Sequence, residues 1–220
     1  MVKAAKTSDR PEPRWHALFA LLAVGGINFA LPSWLSFTPR WAFPSVVVLL
    51  LIPSVVSHRT KRFHLNHILG LVISSVITIA LIGSVALLVG GLAMHKEKGM
   101  ALLISGAELW LSNVLVFALW YWRLDGGGPN ERRSRAQFGS SSFVFPQMQV
   151  EKSERSRYGI TDQWRPRFVD YLFIAMMQSA TFGPTDSPVL ARWAKVITMV
   201  QVMISLIIVV LLISHAVGAI

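Results

Sequence analysis

Cysteine is absent from the 220 residues. Disulfides and thiolate-held metals are therefore excluded. Charge is scarce, at 15% of residues, and negative charge scarcer still, with 11 Asp and Glu against 21 Lys and Arg. No set of Ser, His and Asp, no carboxylate pair with a histidine and no metal-ligand cluster converges on one side of a membrane, so neither an enzyme nor a cofactor is expected. No basic stripe is interleaved with aromatics, which argues against a nucleic-acid partner. What is abundant is apolar: 53% of residues are hydrophobic and the mean hydropathy is +0.53. That composition excludes a disordered chain and sets this one apart from ordinary soluble domains.

The apolar residues fall into runs separated by basic connections. Residues 1–14 form a polar, basic tail. Trp15 to Leu35 reads as an uncleaved span, too long for a signal-peptide core. Its Gly25 and Gly26 would admit a close helix neighbour. Phe43 to Ser57 reads as a second span, with Pro44 at its start and Pro53 kinking its last turn; a half-span is the alternative. Ile68 to Met94 is the third, with Gly70, Ser74 and Thr78 at four-residue spacing for helix contact. Met100 to Trp122 is the fourth and carries Glu108, the only acidic residue in a long apolar run, on one face with Ser105 and Ser112. A carboxylate there is an ion ligand, a proton carrier or the partner of a basic group; the plainer reading is a neutral glutamic acid joining helices. His64 and His67 share a helical face, but without a carboxylate they read as interfacial histidines.

Residues 124–165 read as a mostly solvated loop, broken by Gly126-Gly127-Gly128-Pro129, with Phe143-Val144-Phe145-Pro146 as a small patch against the bundle. The next apolar stretch, Phe168 to Ala180, is too short to cross a bilayer and suits a re-entrant or interfacial helix. It ends in Thr181-Phe182-Gly183-Pro184-Thr185-Asp186, polar backbone that cannot face lipid unpaired. Ser187 and Pro188 then read as the N-cap and first residue of a long final helix. Thr198, Gln201, Ser205 and His215 fall on one third of its circumference, as the lining of a wet path or as interhelical glue.

The expected fold is all-α: a polytopic membrane bundle of about five transmembrane helices plus one short re-entrant segment. It divides into the tail (1–14), a four-helix bundle (15–123), a polar loop (124–165) and a pore-loop-like module (166–220). With five spans and a cytoplasmic N-terminus, 18 of the 21 Lys and Arg lie inside. That orientation puts the 181–186 loop on the cytoplasmic side.

Two resemblances follow from these residues. Thr181-Phe182-Gly183 with Asp186, preceded by Tyr171-Leu172-Phe173, resembles a shortened pore-loop module of potassium channels, lacking one glycine and most of the filter length. Trp-Tyr-Trp-Arg-Leu-Asp-Gly-Gly-Gly at 120–128, Phe-x-Phe-Pro at 143–146, Asp-Tyr-Leu-Phe at 170–173 and Thr-Phe-x-x-Thr-Asp at 181–186 are similar to a family of small bacterial inner-membrane proteins. The second covers most of residues 15–217 and implies architecture rather than activity. The pore-loop resemblance implies an oligomeric, channel-like protein, a tetramer favoured, passing or sensing a small cation. Thr181, Phe182, Gly183, Thr185 and Asp186 would form the constriction, Gln201 and Ser205 the path, and Glu108 a support or ligand. The alternative is a non-conducting structural protein that binds a partner, or anionic lipid head groups, through its basic loops.

Overall fold

A computed structural model describes residues 15–36, 39, 41–59, 63–93, 99–134, 141–161, 164–183 and 186–218. These fold into helices α1 (Trp15–Ala30), α2 (Ala42–Arg59), α3 (Phe63–Ala93), α4 (Gly99–Leu124), α5 (Gly128–Ser134), α6 (Pro146–Gln149), α7 (Phe168–Thr181) and α8 (Arg192–Gly218). The one β-interaction among the described residues is an isolated antiparallel bridge between Phe143 and Val189. Among the described residues, three helices are long and apolar enough to cross a membrane: α3, α4 and α8.

α1 is shorter than its apolar run. Its 16 residues rise about 24 Å, less than a bilayer core of about 30 Å. The run's composition continues to Leu35, but Pro32 has no N–H to extend the helix, and Ser33–Leu35 form a separate 3-10 turn. α2 begins where Pro44 favours a start.

α4 is the hub. It packs on α1, α3, α7 and α8. Two contacts fix its direction against its neighbours. Arg123, at its C-terminal end, lies across Gly70 near the start of α3 so closely that a Cβ there would overlap the guanidinium. At its N-terminal end, Gly106 receives Leu212 from the last turns of α8. Both α3 and α8 therefore run antiparallel to α4. The Trp34 ring sits on Gly91 near the end of α3, which places the α1–α2 connection at the end opposite Arg123. We call the Arg123 end basal.

The spaced small residues of α3 meet α4 as their periodicity predicts. Ser74 is buried, and Thr78 donates its hydroxyl to the Ser74 carbonyl (2.6 Å) while accepting from the Trp120 indole (2.8 Å). Gly25 and Gly26 differ from expectation. A Cβ at either would meet nothing within 4 Å. Instead of seating a helix they border an open apolar groove of about 220 Å³ with Leu22, Phe29, Pro44, Val47 and Val48.

The final helix also starts later than its N-terminal signals suggest. Ser187 and Pro188 do not open α8. The Pro188 carbonyl accepts the Val144 N–H (2.9 Å), and the Leu190 N–H donates to the Ser142 carbonyl (2.8 Å). Backbone groups that would join the first helical turn are engaged by a segment some 45 residues earlier, so the helix waits until Arg192.

Candidate functional site

α7 starts at the basal end, where Phe168 packs edge-on against Trp122 (ring centroids 6.0 Å). Its polar signals are local: Asp170, in the first turn, accepts the Arg167 N–H at 2.6 Å. Burial raises the Asp170 carboxyl above the usual aspartate range, opposed by that bond and by the nearby Arg167 charge. Phe168, Tyr171, Ile174, Ala175, Gln178 and Ser179 form the buried face of α7, while Val169, Phe173 and Met176 face outward.

The 14 residues of α7 rise about 21 Å. Near its end, Ser179 accepts the Asn113 side-chain N–H (3.4 Å), so α7 stops level with the middle of α4. At Phe182 the backbone turns left-handed (φ 52°) and its N–H caps Gln178 (3.2 Å). Glycine usually fills that position, and an aromatic residue there stores strain at the tip. By Val189 the chain is back at the basal end, bridged to Phe143. α7 thus reaches only mid-depth beside α4, and by Val189 the chain is back at the end it entered by; residues 182–188 can span at most about 23 Å, close to the rise of α7.

A buried polar cluster sets this depth. Gln201 Nε2 donates to the Ala175 carbonyl (2.7 Å) and to Ser179 Oγ (2.8 Å). Its Oε1 accepts the Tyr121 hydroxyl, which lies 3.2 Å from Thr198 Oγ1. Ser205 donates to the Ser179 carbonyl (2.8 Å) and accepts the Trp110 indole N–H (2.9 Å). Asn113 Nδ2 also reaches the Gln201 carbonyl (3.2 Å), while its Oδ1 is buried with no hydrogen-bond partner among the described residues. α4, α7 and α8 are thereby joined by side chains that have nowhere else to satisfy themselves in an apolar interior.

A second cluster closes the base. Asp125, fully buried, accepts the Ser141 hydroxyl (2.8 Å), the Ser142 N–H and the Tyr171 hydroxyl (2.7 Å). Gly126, Gly127 and Gly128 follow with positive φ; a Cβ on Gly128 would lie 2.8 Å from the Arg123 carbonyl. That turn directs α5 back so that Arg132 donates to the Trp122 and Asp125 carbonyls (both 2.7 Å) and lies over the Tyr171 ring (5.0 Å). Phe143 is fully buried among Tyr121, Tyr171 and Trp193, at centroid distances of 4.9, 6.2 and 6.3 Å. Phe145 packs on Tyr171 and Trp164 (5.3 and 5.7 Å). The Phe-x-Phe-Pro patch therefore tucks against the bundle, as its composition predicts, and plugs its base, while the described part of 124–165 is less solvated than its composition suggests.

The residues expected to act are placed as follows. Thr181 ends α7, exposed, its hydroxyl turned back to the Met177 carbonyl (2.8 Å). Phe182 and Asp186 are exposed and Gly183 is half-buried; Thr185 lies outside the described residues. Gln201 and Ser205 are fully buried and, within one chain, seal α8 to α7. Glu108 is half-buried on α4 and makes no hydrogen bond to α7 among the described residues. Sequence reasoning passed over Asn113, Asp125 and Ser179, and it read Tyr121 with Trp120 and Trp122 as an aromatic belt at the membrane surface, whereas Tyr121 is fully buried. Asp125 fell just outside the apolar run, although the Trp-Tyr-Trp-Arg-Leu-Asp motif contained it. Compared with models of protein families, with curated proteins and with solved structures, the chain matches none.

Proposed function

We propose that the chain is an integral membrane protein that carries α7 and residues 182–188 as a re-entrant hairpin, and that copies of it assemble around a path for a small cation. The supporting observation is the helix that stops level with mid-α4 beside a left-handed turn, with the chain returning to the end it came from. Backbone that is not helical at that depth is tolerated only in protein or along water. One hairpin cannot encircle an ion, so neighbouring copies, four favoured, would supply the rest. Thr181, Phe182, Gly183, Thr185 and Asp186 would form the constriction, with Glu108 as a candidate ligand or support. In the orientation that places most basic residues inside, the N-terminus and the hairpin mouth are cytoplasmic, in a membrane of bacterial inner-membrane type. Arg192 and Lys195, exposed at the start of α8, would meet anionic head groups there.

Currents across planar bilayers test this, with Gly183→Ala and Asp186→Asn beside the wild type. Discrete openings altered by both changes are expected. Silence from a folded oligomer across voltages and pH sinks the conducting reading. A second reading has its own support: Gln201 and Ser205 are spent on binding α7, as in a hairpin fixed for contact with a partner rather than for conduction. A monomer in native mass spectrometry would favour it.

A further inference from the structure

The chain's return leg is held by a route that starts at Asp125. This carboxylate gathers donors from two separate elements: the Ser141 hydroxyl and Ser142 N–H of the strap 141–146, and the Tyr171 hydroxyl of α7. The strap in turn holds the return leg through two backbone bonds, Val144 N–H to the Pro188 carbonyl and Leu190 N–H to the Ser142 carbonyl. Those bonds flank Phe143 and Val189, which face each other as a non-hydrogen-bonded antiparallel pair. A two-strand ladder would next use the Ser142 N–H, and here Asp125 takes it. One carboxylate therefore ends the ladder, fixes its register and ties both to α7.

We propose that Asp125 is a positioning residue for the 186–190 leg, acting through Ser142 on Leu190. It sets the base of the leg as the Gln201 cluster sets the depth of α7. This rests on reading the hairpin as the working element, but its test requires no conduction.

The measurement is amide hydrogen exchange of the full chain in lipid nanodiscs, peptide by peptide. Asp125→Ala is expected to speed exchange in both 141–146 and 181–190 by roughly tenfold or more, with α3 unchanged. Tyr171→Phe, which removes one donor and keeps the ring, should give a smaller change in the same two segments. The absence of cysteine allows a rescue. Ser142 and Leu190 are joined by a backbone bond as the next pair along the bridge, and paired positions of an antiparallel ladder stand about 5.5 Å apart between Cα atoms, within the range of a disulfide. In Asp125→Ala carrying Ser142→Cys and Leu190→Cys, oxidation should return 187–190 to wild-type protection and reduction should release it again. The proposal is overturned if the strap loosens while 181–190 keeps its protection, or if α3 loosens equally. It is also overturned if the oxidised pair leaves 187–190 fast. Should Asp125→Ala fail to fold, Asp125→Asn and Tyr171→Phe carry the same comparison. Loss of bilayer currents alone would bear on the conducting reading and not on this one.

Discussion

Two helical pieces flank α4, and they are held in different ways. On one side α1 and α2 pack by shape. Ala17, Ala20, Leu21, Val24, Phe43 and Val47 are buried, and the groove beside Gly25 and Gly26 stays open. On the other side α7 and α8 are pinned by hydrogen bonds from Trp110, Asn113 and Tyr121 on the same helix. Apolar contacts are non-directional and let a helix slide until volumes fit. Paired polar groups in an apolar setting fix one depth, because any other leaves them unsatisfied. The flank whose helix stops part-way along α4, that of α7, is the one that has them.

The largest test of that contrast is Phe143→Ala. It empties the pocket among Tyr121, Tyr171 and Trp193 and should cost about 3–5 kcal/mol, read by denaturation in detergent. Next comes Gln201→Leu, which strips the Tyr121 hydroxyl, the Ala175 carbonyl and Ser179 of a partner. A loss of about 2 kcal/mol is expected, with exchange rising across α7 and not across α1. Gly25→Ala and Gly26→Ala should change stability by about 1 kcal/mol or less, since the added methyl meets open space. If they cost as much as Gln201→Leu, the two flanks are not held differently and the contrast fails. The smallest effect belongs to Asp170→Asn. Because burial raises this carboxyl, the folded state favours its neutral form; its contribution is full at pH below the ordinary aspartate range and falls as pH rises through the raised value. The asparagine should therefore match the wild type in acid and become slightly the more stable as pH rises, measured as melting temperature against pH.

Much of the helical layout was legible in the chain. Met100 to Trp122 became α4 with one more residue at its N-terminal end and two at its C-terminal end, and Phe168 to Ala180 became α7 almost to the residue. Apolar runs of that length leave few alternatives. Thr198, Gln201 and Ser205 could be placed on one face, but whether that face lined a path or met a helix depended on where α7 stopped, which periodicity does not encode. The apolar patch around Phe143 was legible, but not its partner. Ser187 and Pro188 carry good local signals for a helix start, and the Phe143–Val189 bridge overrides them across a distance in sequence that no local rule spans. Asp125 was hidden for a related reason, since its value lies in donors from Ser141, Ser142 and Tyr171 and not in its neighbours. α1 was overextended because hydropathy counts Leu31 and Leu35 while the backbone stops at Pro32.

The span between bonded partners also dictates an order of assembly. Tyr121 and Gln201 are 80 residues apart, and Trp110 and Ser205 are 95 apart. When α4 leaves the ribosome, the helix that will satisfy its indole, amide and phenol has not been made. During synthesis α4 therefore presents a polar edge whose partners within the chain are completed only when α8 arrives.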